Sequence, residues 1–465
     1  MDGSSFCEIT SKVPSYSSYL SCEELDQNSL ALAREFPSIV EIIRAGESRE
    51  KRAINALRIG KGSNNILLYG FPNPEEPLGG LLLDYLSEAL ATNEKFLKET
   101  DCTWYLIKCV DPDGAKLNEG YLKGPLTPTN FAKNYYRTPN YLTGELNFPF
   151  RFGNILNLNN PVPETWALMR IMSGIEFRFI SSLHVMKFGE MTFEVSRPCP
   201  EIYSQLQIIA KENNIPLRKR FGDIVAPGIQ LANYMTPAAN YVRMTMSGLS
   251  PLQKVTGGFS FEFARMMNPR LFMMIPECTT WFDPRCYNDR PSGSNLRETM
   301  DYVKDAFGKA ARLVSECYRE ARPYLGPGSP FVAMLADIVE GITTPKIGVI
   351  DPDPTIKEEE LDEETMLSQK ISTEARADIY RMFNVGGALK MIELELSGAN
   401  ENSRKLMQVM EKFQMQFDAY SNELNKKYDI HHYPLKSLVA MNLASLLVAI
   451  EHSKRMNEMP EIYAT

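Results

Sequence analysis

Histidine is scarce in this sequence: four residues in 465, at 184, 431, 432 and 452. A site built on imidazole has few positions to draw on. The eight cysteines (7, 22, 102, 109, 199, 278, 286 and 317) are scattered and include no C-x-x-C pair. That argues against zinc-ribbon and dithiol motifs and reads as reduced, mostly buried thiols in a cytoplasmic protein. A chain of this length buries enough surface to fold without disulfides. Basic residues are outnumbered 50 to 58, for a formal net charge of −8. With no cationic excess to neutralise a phosphate backbone, nucleic acid is not an expected partner. The longest apolar stretch, near Leu438 to Ile450, has 13 residues and is interrupted by Asn442 and Ser445. It falls short of a bilayer span, so no membrane partner is expected. The opening Met1-Asp2-Gly3-Ser4-Ser5 lacks a basic stretch leading into an apolar run, so no signal peptide is expected. Repeats and low-complexity tracts are also missing.

What is there reads as α/β followed by all-α. Helical spacing runs from Ser29 to Ile43, and strand-like runs follow at Ala53 to Ile59, Asn65 to Tyr69, Trp104 to Val110, Phe177 to Leu183 and Leu271 to Ile275. Helical patterns alternate with them at Leu82 to Thr92, Trp166 to Met172, Pro200 to Asn213 and Phe259 to Met267. This alternation predicts a mixed, largely parallel sheet flanked by helices. From Leu296 the spacing is helical almost to the end, at 296–324, 330–341, 372–397, 402–427 and 436–455. Three regions are expected: an N-terminal lead-in (1–50), an α/β domain (51–300) and a helical C-terminal region (301–465). The change of character falls between about 290 and 350. Asp351-Pro352-Asp353-Pro354 and the acidic run Lys357 to Glu364 read as a loop and a solvated face leading into a helix.

Several apolar strands are followed at once by polar residues: Asn73, Glu75 and Glu76; Asp111 and Asp113; His184; and Glu277. Ligands of open α/β sheets bind outside the carboxyl ends of strands, so these four segments are expected to converge. His431 and His432 read as loop surface, methionines 266, 267, 273 and 274 as core packing, and cysteines 278 and 286 as buried thiols.

These segments resemble the zinc metallocarboxypeptidases, the carboxypeptidase-A-like family. Gly70-Phe71-Pro72-Asn73-Pro74-Glu75-Glu76-Pro77-Leu78-Gly79 is similar to the first metal-binding segment, Asp111-Pro112-Asp113-Gly114 to an Asn-Pro-Asp-Gly turn, and Ser182-Leu183-His184 to the second metal-binding segment. Ser260 to Arg265 followed by Ile275-Pro276-Glu277 resembles the elements delivering the catalytic glutamate. Glu145 to Pro149 and Pro161 to Thr165 resemble a bacterial branch. The resemblance covers residues 45 to about 300. It implies Glu76 and His184 as zinc ligands, Asn73 at the first ligand position, and Glu277 as general base toward a metal-bound water. It also implies Arg137, in Asn134-Tyr135-Tyr136-Arg137, as the group that grips a substrate carboxylate, with Asn134 beside it, since guanidinium binds carboxylates bidentately. The family has histidine where this chain has Asn73, and an amide oxygen is a weaker zinc donor than imidazole. The run Val185-Met186-Lys187-Phe188-Gly189-Glu190 after His184 stands where related enzymes are usually small and polar.

The resemblance therefore implies a hydrolase of a peptide or amide bond with one specialised, biosynthetic substrate. Zinc is bound weakly or differently, with Glu75 or Asp111 helping. The alternative is a metal-free pseudoenzyme that holds a peptide or a partner. The helical region is a candidate for contact between copies of the chain.

Overall fold

The computed structural model describes residues 4–232, 237–246, 255–326, 328–343, 356–398 and 402–456. Among these, an eleven-stranded mixed sheet forms the centre. Its order is Val40–Glu47, Ala53–Ile59, Cys102–Ile107, Asn64–Tyr69, Phe177–Ser182, Phe272–Phe282, Thr192–Val195, Ile229–Leu231 and Ile224–Ala226. Two short strands, Val185–Phe188 and His431–His432, join Phe272–Phe282 off that path. The central run from Cys102–Ile107 to Phe272–Phe282 is parallel, and the edge at Val40–Glu47 is antiparallel.

The central strands are apolar at nearly every position because both faces are covered. Ile66 and Leu68 point into one core with Trp104, Leu106 and Phe179, while Leu67 and Tyr69 point into the other with Tyr105, Ile107 and Ile180. That is the period-two alternation of a sheet buried on both sides.

Two elements differ from their sequence reading. The pattern over Ser29 to Ile43 resolves into a helix, Cys22–Glu35, and a strand, Val40–Glu47. Phe36 precedes Pro37, and proline disfavours helical backbone in the residue before it. The strand predicted to end at Pro276 instead runs through it, over Phe272–Phe282. There it changes neighbours, from Phe177–Ser182 and Thr192–Val195 to Val185–Phe188. Glu277 thus sits within a strand at the point where the sheet divides.

The C-terminal region is helical: Leu296–Ala321, Pro330–Thr343, Leu367–Ser397, Ser403–Lys427 and Leu435–Ser453. Asp351 to Pro354 lies outside the described residues. In the acidic run, Arg297 pairs with Glu358 and Asp362 at 2.9 and 3.1 Å, beside an otherwise solvent-facing turn. The helix Leu435–Ser453 is longer than its apolar stretch suggested. By length and composition it is long and apolar enough to cross a membrane, yet most of it is buried in the fold. It packs on the Leu78–Thr92 and Pro200–Glu212 helices and on the Phe272–Phe282 strand. Its Asn442 is satisfied within the helix, donating to the Leu438 carbonyl at 2.8 Å.

The helix Leu367–Ser397 lies against Pro128–Lys133 and the strand Val185–Phe188, beside the carboxyl ends of the central strands. Gly386 allows the close approach, since a Cβ there would overlap the Ala132 carbonyl oxygen. Phe383 from the same helix stacks on Tyr135 with ring centroids 5.1 Å apart.

Candidate active site

The strand Asn64–Tyr69 and the helix Leu78–Thr92 are joined by a tight loop holding Asn73, Glu75 and Glu76. Gly70, Gly79 and Gly80 make it possible. A Cβ on Gly70 would come within 2.7 Å of the Gly80 nitrogen, and one on Gly79 within 2.7 Å of the Leu183 Cβ. The helix start is thereby drawn onto the Leu183-His184 corner. Carboxylates just ahead of a helix are also favoured by its dipole.

Three of the residues singled out in the sequence meet here. His184 Nδ1 lies 2.9 Å from Glu76 Oε2, and Asn73 Nδ2 is 3.0 Å from Glu76 Oε1 and 3.3 Å from His184 Nδ1. On the other side of the ring, His184 Nε2 lies 2.8 Å from Glu145 Oε2. The Tyr69 hydroxyl donates to Glu145 at 2.6 Å and meets Ser260 Oγ at 2.6 Å. A continuous polar chain therefore runs from Ser260 through Tyr69, Glu145 and His184 to Glu76 and Asn73. Burial alone would lower the His184 pKa, but Glu145 and Glu76 together raise it well above the usual value. Glu76 is held below the ordinary carboxylate value: burial opposes its charge, and His184, together with Lys187 and Arg137, outweighs burial.

Glu277 lies in the electrostatic field of this group. Burial pushes its pKa up, against the pull of His184 and with the help of Glu76. Lys187 is 2% exposed; its ammonium donates to the Glu75 carbonyl at 3.0 Å and lies 5.0 Å from the centre of the Phe131 ring. Burial lowers its pKa, and Glu76 and Glu75 act against that. From the C-terminal helix, Arg376 reaches the Phe188 carbonyl at 3.4 Å and interacts with Glu277. Tyr380 interacts with Arg137, Glu76 and Glu75.

Other residues singled out in the sequence are elsewhere or already engaged. Arg137 is half-buried and donates to Glu75 Oε1 at 2.7 Å, which keeps it charged. The Asn134 amide turns back to the Asn130 carbonyl at 3.0 Å and packs over Gly120. Asp111 accepts from Gly114 N and Thr138 and pairs with Arg49 at 3.4 Å. Asp113 accepts from Ser48 at 2.7 Å and Arg52 at 2.6 Å. The aspartate segment thus braces a turn rather than joining the centre, and three of the four expected segments converge. Glu145 was visible in the sequence as part of a motif, with nothing local to mark it as the histidine's partner. Lys187 was visible only as a departure from the family pattern. His431 is exposed, but His432 is partly buried, and burial pushes its pKa down to about 4. Met273 and Met274 are core residues, whereas Met266 and Met267 are 65% and 45% exposed.

The residues can be tested against a metal ion on their donor chemistry. Among the described residues no cluster of three His, Cys, Asp or Glu side chains is arranged for one. The three side chains of Asn73, Glu76 and His184 nevertheless touch pairwise, Asn73 Nδ2 at 3.0 Å from Glu76 Oε1 and 3.3 Å from His184 Nδ1, and His184 Nδ1 at 2.9 Å from Glu76 Oε2. Glu75 Oε2, on the residue next to Glu76, is buried without a hydrogen-bond partner. Position and unsatisfied polarity fit a cation held by one imidazole nitrogen, one carboxylate and, with the amide turned, the Asn73 oxygen. That set is weaker for zinc than one with two imidazoles.

Similar folds are found among solved carboxypeptidases. Carboxypeptidase A from Helicoverpa armigera is 17% identical, over 60% of this chain and 70% of that one, with a TM-score of 0.36. Bovine thrombin-activatable fibrinolysis inhibitor, in complex with tick carboxypeptidase inhibitor, is 14% identical, over 56% and 86%, at 0.32. A metallo-carboxypeptidase from Pseudomonas aeruginosa, in complex with (2-guanidinoethylmercapto)succinic acid, is 15% identical, over 56% and 60%, at 0.32. Residues 27–222 match the model of the family described as zinc carboxypeptidase.

Proposed function

We propose that this protein is a zinc carboxypeptidase-like hydrolase of a peptide or amide bond, specialised for one biosynthetic substrate. The observation that carries the reading is the meeting of Asn73, Glu76 and His184 within 3.3 Å. Glu76, His184 and the Asn73 oxygen would hold the metal, which when bound supplies a Lewis acid and a more acidic water. Glu277 takes a proton from the attacking water and returns it to the leaving amine. Its pKa, raised first by burial, suits a group that must both accept and give a proton. Glu145 orients the His184 ring from its Nε2 side. Arg137 is tied to Glu75, so its gripping a substrate carboxylate, with Asn134 beside it, requires that pair to open. The same reading puts the protein in the cytoplasm, in keeping with eight cysteines that form no structural disulfide. The helical region is carried as a surface for contact between copies.

A specific observation favours the second reading, a metal-free module that holds a peptide. Both His184 nitrogens are already bonded to carboxylates, and the Asn73 amide donates to Glu76. Lys187 supplies a fixed buried cation within the same group. The two readings separate in one assay: product formation from a panel of N-acylated dipeptides and amides, followed by mass spectrometry. The hydrolase reading expects turnover by wild-type protein that falls by about a hundredfold or more in Glu277→Gln. Equal product from both proteins would overturn it.

A further inference from the structure

Near Phe71, in the small apolar cluster that includes Leu25 and Ala115, lie two thiols that the proposed chemistry does not use. Cys22 opens the helix Cys22–Glu35, whose start is fixed by the capping box between Ser21 and Glu24. Cys109 lies between the strand Cys102–Ile107 and the helix Pro112–Leu117. They are 87 positions apart in sequence, and their Sγ atoms are 3.0 Å apart. That is only about 1 Å beyond a sulfur–sulfur bond of about 2.05 Å. Both are free and half-buried. Among the described residues no other two cysteine sulfurs are in contact. The pair borders a cavity of about 20 Å³ that Asp26, Lys108 and Pro112 also line. This is enough room for a water-sized molecule.

We propose that Cys22 and Cys109 are a site of reversible oxidation, forming a disulfide that fixes the loop carrying Asn73. With glutathione disulfide as oxidant, the Cys22 thiolate attacks one of its sulfurs and releases one glutathione. Cys109, giving up its proton to the departing glutathione, then attacks the Cys22 sulfur and releases the second. The two cysteines lose two electrons and two protons, and the oxidant becomes two thiols. Two contacts carry the constraint forward. Val110 N donates to the Gly70 carbonyl at 3.1 Å, and Gly114 packs against Pro74, next to Asn73. The crosslink would therefore tie the N-terminal helix to the segment bracing the Asn73 loop. The inference does not depend on whether the protein hydrolyses anything.

The test is equilibration of the full chain with glutathione disulfide, followed by intact mass, non-reducing peptide mapping and thermal melting. Wild-type protein is expected to lose two hydrogens, to yield a Cys22–Cys109 crosslinked peptide and to melt roughly 4 °C higher than its reduced form. Dithiothreitol should reverse all three. Cys22→Ser and Cys109→Ser should each show none of them, with far-ultraviolet circular dichroism confirming that at least one variant is folded. A stable glutathione adduct with no crosslink, crosslinks spread among other cysteines, or thiols that stay fully reduced would each overturn the proposal.

Discussion

Two interior regions of this protein each hold a histidine, and they treat it in opposite ways. His184 lies between Glu76 and Glu145, which hold its ring charged against the cost of burial. Among the described residues no carboxylate pairs with His432. It meets the Tyr433 carbonyl at 2.5 Å and the Trp281 ring edge-on at 6.1 Å, and burial pushes its pKa down to about 4. The first region is a polar network at the carboxyl ends of parallel strands. The second is an aromatic core where the C-terminal region closes on the sheet. The side chain is the same; its charge is set by what the fold places around it.

Removing the ring from the charged region should have the largest effect. His184→Ala leaves Glu76 and Glu145 buried without their cation, at 4% and 2% exposure. A loss of roughly 3–5 kcal/mol is expected in urea unfolding. A loss below about 1 kcal/mol would mean that the ring is not charged there. The aromatic region should show its character as acid sensitivity. His432 has its pKa depressed from 6.5 to about 4 by folding, so its contribution is present above pH 6.5 and is lost as pH falls through 4. Stability should drop by up to about 3 kcal/mol across that window and hold steadier in His432→Phe. Equal slopes in the two proteins would contradict this.

Gly386→Ala probes the approach of the C-terminal helix, where a Cβ would overlap the Ala132 carbonyl oxygen. A loss of about 2 kcal/mol is expected in chemical unfolding, with the Trp281 fluorescence altered because Phe383 moves with the helix. Met266, 65% exposed and outside both regions, is the control. Met266→Lys should change stability by no more than about 0.5 kcal/mol.

Much of this architecture could be read before the structure. Strands such as Asn64–Tyr69 and Cys102–Ile107 are apolar on both faces, and that signal is local. The glycines around the Asn73 loop and the proline-bearing motifs fixed where polar residues leave the sheet. Three features were not legible, for physical reasons. Pro276 marks a change of strand partners, and which partner follows depends on residues more than ninety positions earlier, such as Val185 opposite Cys278. Glu145 meets His184 across 39 residues, a distance over which no periodicity speaks. Asp111 looked like a site residue because it follows a strand, yet it serves as the N-cap of Pro112–Leu117. Helix-capping and ligand-binding aspartates look alike until their partners are known.

The proposed metal site is Asn73, Glu76 and His184, weakened by the missing imidazole. Calorimetric titration of zinc into chelator-treated protein tests it most directly, comparing wild type with Asn73→His and His184→Ala. The account predicts near one zinc per wild-type chain at modest affinity, at least about tenfold tighter binding in Asn73→His, and loss of binding in His184→Ala. Binding in Asn73→His that is no tighter than in wild type, or zinc retained by His184→Ala, would contradict it.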